Sequence, residues 1–152
     1  MGGSNWTSMP DLLEKRLDSA IVRWGGSQSE EIWITGGKRI GSNSGIVNST
    51  EIWKGSATGW TPGPDLPLHV RRHCIVQLSD TRYLLTGGQS PDNLVRNETW
   101  IYDSENPTAG WVAQAKLSQF RYGHSCGAVT WTDGSVRAVV AAGNQVTTGN
   151  GR

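Results

Sequence analysis

The chain has 152 residues, enough for one domain of ordinary size, and its 14 Lys and Arg residues nearly balance its 13 Asp and Glu residues. This balance excludes a general phosphate-binding role, because nucleic-acid binding needs a clustered excess of basic side chains. The first residues lack the basic and apolar segments of a signal peptide, and no apolar run is long enough to cross a bilayer. We therefore expect no nucleic acid and no membrane among the partners.

Twenty glycines and eight tryptophans are the unusual features of the composition. Gly provides turns and positive φ angles, and Trp provides a large area for burial. The apolar fraction of 36% supports a core, and the charged fraction of 18% argues against wholesale disorder. The composition therefore favours an all-β chain with short turns and aromatic anchors.

Four short β-prone blocks follow one another along the chain, each bounded by turn residues. The first starts at Ala20 (AIVRW), and the second ends in a glycine pair (EIWITGG, 31–37). The third is NSTEIW (48–53), and the fourth begins at Trp60 (GWTPGPDL, 59–66). These blocks predict four antiparallel strands joined as a meander.

The same order of blocks recurs with a period of about 51 residues, which is the signature of a repeat fold. The matching positions are Ala20, Cys74 and Ser125 for the first block, Gly37, Gly88 and Gly143 for the second, Asn48 and Asn97 for the third, and Trp6, Trp60 and Trp111 for the fourth. We divide the chain into an outer strand and link (1–17), a first full unit (18–66), a second full unit (67–117) and the start of a third (118–152). One such sheet cannot bury both faces alone, so we expect the units to stack radially as a propeller.

The chain resembles the Kelch repeat in its glycine pairs and spaced aromatic residues. The residues that carry the resemblance are Gly36-Gly37, Trp53 and Trp60 in the first unit, and Gly87-Gly88, Tyr102 and Trp111 in the second. The resemblance implies an all-β fold made of four-stranded antiparallel blades, a Kelch-type β-propeller, here incomplete because propellers have at least about four blades. The third unit departs from the pattern at Ala142-Gly143. We expect a fragment of a longer protein, with self-association if the chain is complete.

The two cysteines, Cys74 and Cys126, lie among apolar or small residues, and we interpret them as buried thiols rather than as a disulfide or a metal pair. Unpaired thiols favour the cytosol or the nucleus. Three Asn-x-Ser/Thr sequons, at Asn5, Asn48 and Asn97, favour secretion instead, although the last two share one repeat position. The sequence therefore leaves the localisation open.

Polar residues cluster in two kinds of segment that a meander brings to one face. These are the links that precede the first strands and the loops that follow the second strands, because successive strands alternate in direction. The candidate partner-binding residues are Arg16, Arg71, Arg72, Arg121 and Tyr122 in the links, and Lys38, Arg39, Gln89, Asp92 and Asn93 in the loops. Three of them, Arg16, Arg71 and Arg121, lie ten, eleven and ten residues after their Trp, and we expect them to converge unless they bond loop carbonyls and hold the units together.

His73 and His124 occupy equivalent repeat positions, thirteen residues after Trp60 and Trp111. The repeat explains their recurrence without any chemistry. We therefore interpret them as strand-start residues bonded to the backbone, rather than as a catalytic or metal pair.

The favoured function is a protein–protein interaction module that binds a protein or an acidic or polar peptide through this face, as the Kelch resemblance implies. One alternative is a fragment of a galactose-oxidase-like propeller enzyme, which would hold copper through Tyr and His. Another is an extracellular carbohydrate- or matrix-binding segment, which the sequons support. No catalytic triad, glycosidase carboxylate pair or phosphate loop stands out, so we predict no enzyme activity, no cofactor and no metal.

Overall fold

A computed structural model describes residues 6, 8–25, 31–41, 43–55 and 59–147 of the chain. These residues confirm the expected all-β class: they form fifteen strands and one 3-10 turn, Pro107–Ala109, and none of them lies in an α-helix. The described part of the chain accordingly has no helix that could span a membrane. The strands are β1 (Arg16–Leu17), β2 (Ala20–Trp24), β3 (Glu31–Thr35), β4 (Lys38–Arg39), β5 (Gly45–Ile46), β6 (Thr50–Trp53), β7 (Trp60–Pro62), β8 (Cys74–Gln77), β9 (Arg82–Gln89), β10 (Val95–Asp103), β11 (Trp111–Ala113), β12 (Phe120–Tyr122), β13 (Ser125–Thr130), β14 (Val136–Ala141) and β15 (Asn144–Val146).

Two four-stranded antiparallel sheets carry the repeat. The first has the order β2-β3-β6-β7 and the second the order β8-β9-β10-β11, so each is a meander. Their registers match: Thr35 pairs with Thr50 in the first sheet, and Thr86 pairs with Thr99 in the second. In the third unit β13 and β14 form a two-stranded sheet. The described units form no closed ring.

The links and the loops pair with each other at one end of every unit. In the first unit β1 pairs with β4, which pairs with β5. In the second unit Arg71 forms an isolated bridge with Gln89, and in the third β12 pairs with β15. Links and loops therefore emerge together, as strand alternation predicts, and we call this end of the units the loop face.

The three tryptophans that begin the fourth block differ in their surroundings. Trp60 and Trp111 begin the equivalent strands β7 and β11, and the Trp60 indole N–H donates to the Pro10 carbonyl at 2.9 Å. Trp6, in contrast, is fully exposed and lies outside any strand. None of the described residues before Arg16 lies in a strand, so the fourth-block strand expected from Trp6 is not formed at residues 6 and 8–12.

Neighbouring units meet through opposite faces of their sheets. We call the face that meets the following unit the forward face, the opposite one the back face, and each boundary a seam. At the first seam Trp24 and Trp33 lie on the forward face of the first sheet, with their ring centroids 3.7 Å apart. The Trp24 ring centroid also lies 3.3 Å from that of Tyr83, which is on the back face of the second sheet. Ala20 packs against the same cluster, which also holds Ile75. The first seam is thus a non-covalent aromatic stack.

The second seam is covalent. Cys74 and Cys126 form a disulfide with their Cα atoms 6.0 Å apart, so the interpretation as two buried thiols is wrong. Cys74 lies fourteen residues after its Trp and Cys126 fifteen, so they are not equivalent positions. Because side chains alternate along a strand, Cys74 projects from the forward face of the second sheet and Cys126 from the back face of the third. They meet where Ala20 and Ile75 lie in the first seam.

The first glycine of each pair makes room for the following unit. Gly36 and Gly87 both have φ +56°, and a Cβ at either would come within 2.5 Å of the Val70 carbonyl oxygen or 2.7 Å of the Arg121 carbonyl oxygen, respectively. Ala142 holds this position in the third unit, also at a positive φ of 61°. No link of a following unit covers Ala142 in the described chain, which explains why a methyl group is tolerated there.

Two sequon asparagines have a structural role. The Asn97 amide group donates to the Leu117 carbonyl at 3.2 Å, and the Leu117 N–H donates back to the Asn97 carbonyl at 2.8 Å. Asn48 and Leu66 form the same reciprocal pair. The Asn-x-Thr block thus ties the third strand of each sheet to the end of the Trp-x5-Leu block. Asn5 lies outside the described residues.

Candidate interaction groove on the loop face

The three link arginines do not share one register position. The three units can be aligned on Ser19, His73 and His124, which directly precede the first strands. Arg16 is then equivalent to Val70 and Arg121, and Arg71 is equivalent to Leu17 and Tyr122. A shift of one residue turns a side chain to the other face of its strand. The expectation that these arginines converge is therefore corrected, and each has a different environment.

Arg16 is a buried structural residue. Its side chain is 1% exposed, and its guanidinium lies 2.6 Å from the carboxylate of Glu51, which is also buried. It further donates to the carbonyls of Gly36 and Ser49, each at 3.0 Å. These bonds match the alternative role, in which link arginines bond loop carbonyls, and they leave Arg16 unavailable to a partner at the loop face.

Arg39 and Arg121 are also engaged within the chain. The Arg39 guanidinium lies 2.8 Å from the Glu14 carboxylate. Arg121 donates to the Ala142 carbonyl at 3.2 Å, as its equivalent Arg16 donates to Gly36. Both side chains keep partial exposure, but neither reaches the seam between the first two units.

Asp18 holds the link arginines of the second unit in place. Its carboxylate accepts a bond from Arg72 at 2.9 Å and lies 3.5 Å from Arg71, whose other nitrogen donates to the Gln89 amide oxygen at 2.9 Å. Asp18, Arg72 and Gly123 are equivalent, all with φ between 54° and 62°. The Arg72 N–H donates to Asp18 and the Gly123 N–H to Arg72, so a backbone relay runs across both seams.

A groove of about 300 Å³ opens on the loop face at the first seam. The first unit contributes Lys38, Gly45 and Ile46, and the second contributes Arg71, Pro91 and Asn93. Lys38 is exposed and forms no ion pair within the described chain. The groove thus combines an available ammonium group and the edge of a guanidinium with an apolar wall.

The loop after β9 shapes one wall of the groove. Asn93 has a positive φ of 61°, and its carbonyl accepts a bond from the Gln89 amide at 3.3 Å. The Asp92 carboxylate accepts bonds from the Ser90 hydroxyl and the Leu94 N–H, and the Ser90 bond is the main cause that lowers the pKa of Asp92. Asp92 therefore stabilises the turn, whereas Asn93 faces the groove.

Tyr122 lies near the second seam, away from the groove. The guanidinium of Arg72 lies 5.9 Å from the centroid of the Tyr122 ring, within the range of a cation–π contact. The candidate residues therefore separate into three places. Lys38, Arg71, Gln89, Asp92 and Asn93 lie at or beside the first seam, and Arg16 and Arg39 lie beside Glu14. Arg121 and Tyr122 lie at the second seam, and Arg72 reaches between the two seams, since it bonds Asp18 and contacts the Tyr122 ring.

The two equivalent histidines join neighbouring units through side chains rather than through the backbone, which corrects the sequence interpretation. His73 Nε2 lies 2.9 Å from the Thr35 hydroxyl across the first seam, and His124 Nε2 lies 2.8 Å from the Thr86 hydroxyl across the second. Burial lowers the pKa of His73 to about 3, and the charge of His124 adds to this. Burial and the Arg121 charge lower the pKa of His124 to about 4. Both rings are therefore neutral at pH 7.

The chain is expected to lose stability on mild acidification because of these histidines. Below pH 6.5 the unfolded chain binds protons that the folded chain binds only near pH 4 or pH 3, so the free energy of unfolding falls with pH through this window. Between pH 7.5 and 5 the loss is about 2 kcal/mol per histidine. Urea denaturation of His73→Gln should show about half of the wild-type pH dependence. His69→Gln, at an exposed histidine, is the control, and an unchanged slope in His73→Gln would contradict the assignment.

Three further residues shape this region and are not among those predicted from the sequence: Asp18, Ile46 and Pro91. Asp18 could have been found, since it lies two residues before Ala20, as Arg72 lies before Cys74. Ile46 and Pro91 carry no polar group, so a search for charged and aromatic loop residues passes over them.

No protein-family model matches the sequence, and no curated protein matches it at a significant level. The function must therefore be inferred from the chain itself. Within the described part of the chain, no group of three or more His, Cys, Asp or Glu side chains is arranged to hold a metal ion.

Proposed function

We propose that this chain is a segment of a Kelch-type β-propeller and acts as an interaction module that binds an acidic protein segment in the loop-face groove. The observation that carries the proposal is the groove at the first seam, which is lined by Lys38 from the first unit and Arg71 from the second. Two meander sheets in matching register, joined by repeated contacts between opposite faces, support the propeller.

The chemistry of the groove favours a carboxylate ligand. Lys38 has no ion pair within the described residues, and the side chain of Arg71 is already oriented by Gln89 and Asp18. A guanidinium that is held in place loses less rotamer entropy when it binds a second partner. Ile46 and Pro91 provide apolar contact beside the charges. The groove thus fits an Asp or Glu side chain flanked by a small apolar residue.

Binding is expected to depend on Lys38. An acetylated hexapeptide of alternating Glu and Ala, titrated by isothermal calorimetry at low salt, should bind wild type and lose about tenfold in affinity with Lys38→Gln, since one charge-assisted bond contributes about 1.5–3 kcal/mol. Binding should weaken as salt is added, because the contact is largely electrostatic.

The matched control is Lys116→Gln, which removes an exposed lysine that lies outside the groove beside Glu98. It should bind the peptide as wild type does, and a peptide of alternating Lys and Ala should bind neither protein. Equal affinity of the Lys38→Gln and Lys116→Gln variants would contradict the proposed site. Arg71→Ala is less suitable as a first test, because Arg71 also holds Gln89 and Asp18.

The disulfide gives specific support to the extracellular alternative. Disulfides persist in oxidising compartments, so the thiol-based preference for the cytosol no longer applies. The sequons give it less support, because the amide groups of Asn48 and Asn97 already bond backbone carbonyls. We propose an oxidising compartment for the protein, and alkylation of thiols in freshly lysed native source material, followed by mass spectrometry, tests it: free Cys74 and Cys126 would contradict it.

A further inference from the structure

Two sheet faces lack the cover that their equivalents have. On the forward face of the first sheet Trp33 is 4% exposed, whereas its equivalent in the third unit, Val139, is 45% exposed. On the back face of the second sheet Ile75 is 5% exposed, whereas its equivalent in the first unit, Ile21, is 65% exposed. Both internal seams join a forward face to a back face. Within its described residues, the chain therefore presents one uncovered face of each kind.

The forward face of the third unit differs from the other two at the positions that hold the next histidine. Ala141 occupies the position of Thr35, so the hydroxyl that would bond a histidine is missing. Ala142 occupies the position of Gly36, where a Cβ would come within 2.8 Å of the His73 ring. If the incoming unit carried histidine at the position of His73, its ring would lie against the Ala142 methyl group. Its Nε2 atom would have no hydroxyl partner. This face is therefore adapted to a unit with a smaller residue.

The first unit of the chain has that smaller residue. Ser19 occupies the position of His73 and His124, and its hydroxyl is already satisfied by the Gly36 carbonyl at 3.2 Å. The two positions that lack the threonine and the histidine, Ala141 and Ser19, thus lie on the two open faces of the same chain. If these faces meet, neither of these two positions leaves a polar side-chain group without a partner.

We propose that two copies of this chain associate head to tail, with the forward face of the third unit of one copy against the back face of the first unit of the other. The contact is heterologous, so it closes a ring or extends a filament according to its rotation. It continues the order of the two internal seams, with Val139 and Ile21 as apolar contacts.

This seam is expected to be weaker than the internal ones. At Gly36 a methyl group would lie 2.5 Å from the Val70 carbonyl oxygen, so the link of the incoming unit must lie further from Ala142 than Val70 lies from Gly36. The seam also lacks both the disulfide and the histidine–threonine bond. A concentration-dependent equilibrium, rather than a permanent dimer, is therefore the expected behaviour.

Sedimentation equilibrium of the whole chain tests the proposal. The mass should rise with concentration above the 16.5 kDa of one chain. Val139→Asp and Ile21→Asp, both at exposed positions, should each raise the dissociation constant at least tenfold. An equimolar mixture of the two variants should associate again as a dimer, because one copy keeps the forward face and the other the back face. A single mass of one chain at all concentrations, or a mixture as weak as either variant alone, would overturn the proposal.

A second set of variants tests the role of the small residues. Ser19→His alone should weaken association several-fold, because its ring meets the Ala142 methyl without a hydroxyl partner. Ser19→His with Ala141→Thr and Ala142→Gly restores the arrangement of the internal seams and should bind at least tenfold more tightly than wild type. If the chains associated by pairing of exposed strand edges instead, these substitutions would not change the association. Equal association of all three proteins would therefore also overturn the proposal.

Discussion

Replacing Arg16 with Ala is expected to lower the free energy of unfolding by about 3–5 kcal/mol, since it leaves a buried carboxylate uncompensated. Glu51 is 3% exposed and lies 2.6 Å from the Arg16 guanidinium. The N–H groups of Leu13 and Glu14 also donate to it, at 2.6 Å and 3.1 Å, but these bonds do not neutralise its charge. Urea denaturation followed by Trp fluorescence measures the change.

The second unit provides the matched control for this ion pair. Val70 occupies the position of Arg16 and Trp100 the position of Glu51, and both lie in or against an apolar cluster. Arg16→Val with Glu51→Trp should therefore recover at least half of the loss, because apolar replacement of a buried ion pair is often neutral or stabilising. Arg72→Ala, at a half-exposed ion pair, should cost less than about 1 kcal/mol. A loss this small for Arg16→Ala would contradict the structural role.

Removing the disulfide should destabilise the chain by about 4 kcal/mol, because the bond closes a loop of 52 residues and restricts the unfolded chain. Cys74→Ala with Cys126→Ala is the direct variant. Its midpoint in urea should lie well below that of oxidised wild type and should not change when dithiothreitol is added. Reduced wild type should approach the midpoint of the variant.

A second pair of substitutions separates the covalent bond from the packing around it. Cys74→Ala with Cys126→Ile places in the second seam the residue types that the first seam has at Ala20 and Ile75. This protein should be more stable than the double-alanine variant, because the isoleucine fills the space of the lost sulfur atoms, and less stable than oxidised wild type. If dithiothreitol left the stability of wild type unchanged, Cys74 and Cys126 would not form a bond in solution.

The strands of the two four-stranded sheets were predictable from the sequence because the residue pattern of each strand occurs in both units. Glycine pairs mark the ends of β3 and β9, and Trp-x5-Leu marks the starts of β7 and β11. Asn-x-Thr ends on the first residue of β6 but lies inside β10, which already begins at Val95. The failure at Trp6 has a physical reason. A fourth strand forms only beside a third, and Trp6 pairs with no strand in the described part of the chain. A repeat motif therefore predicts a strand only together with its pairing partner.

The candidate site was predictable only in part, because a shift of one residue along a strand turns a side chain to the other face of the sheet. Counting from the tryptophans places Arg71 one residue beyond the equivalents of Arg16, and Cys126 one residue beyond the equivalent of Cys74. The first offset separates Arg71 from the other arginines, and the second brings the two sulfur atoms together across a seam. Both offsets are visible in the sequence. The burial of Arg16 is not, because it depends on Glu51, a residue 35 positions away.

A disulfide cross-links the second seam, whereas ring stacking holds the first, so the two seams do not join their units equally firmly. A covalent bond joins the second and third units, whereas the first unit is held to the second by non-covalent contacts such as the Trp24–Tyr83 stack. The groove straddles this non-covalent boundary, with Lys38 on the first unit and Arg71 on the second. A change in the width of the groove would therefore break no covalent cross-link.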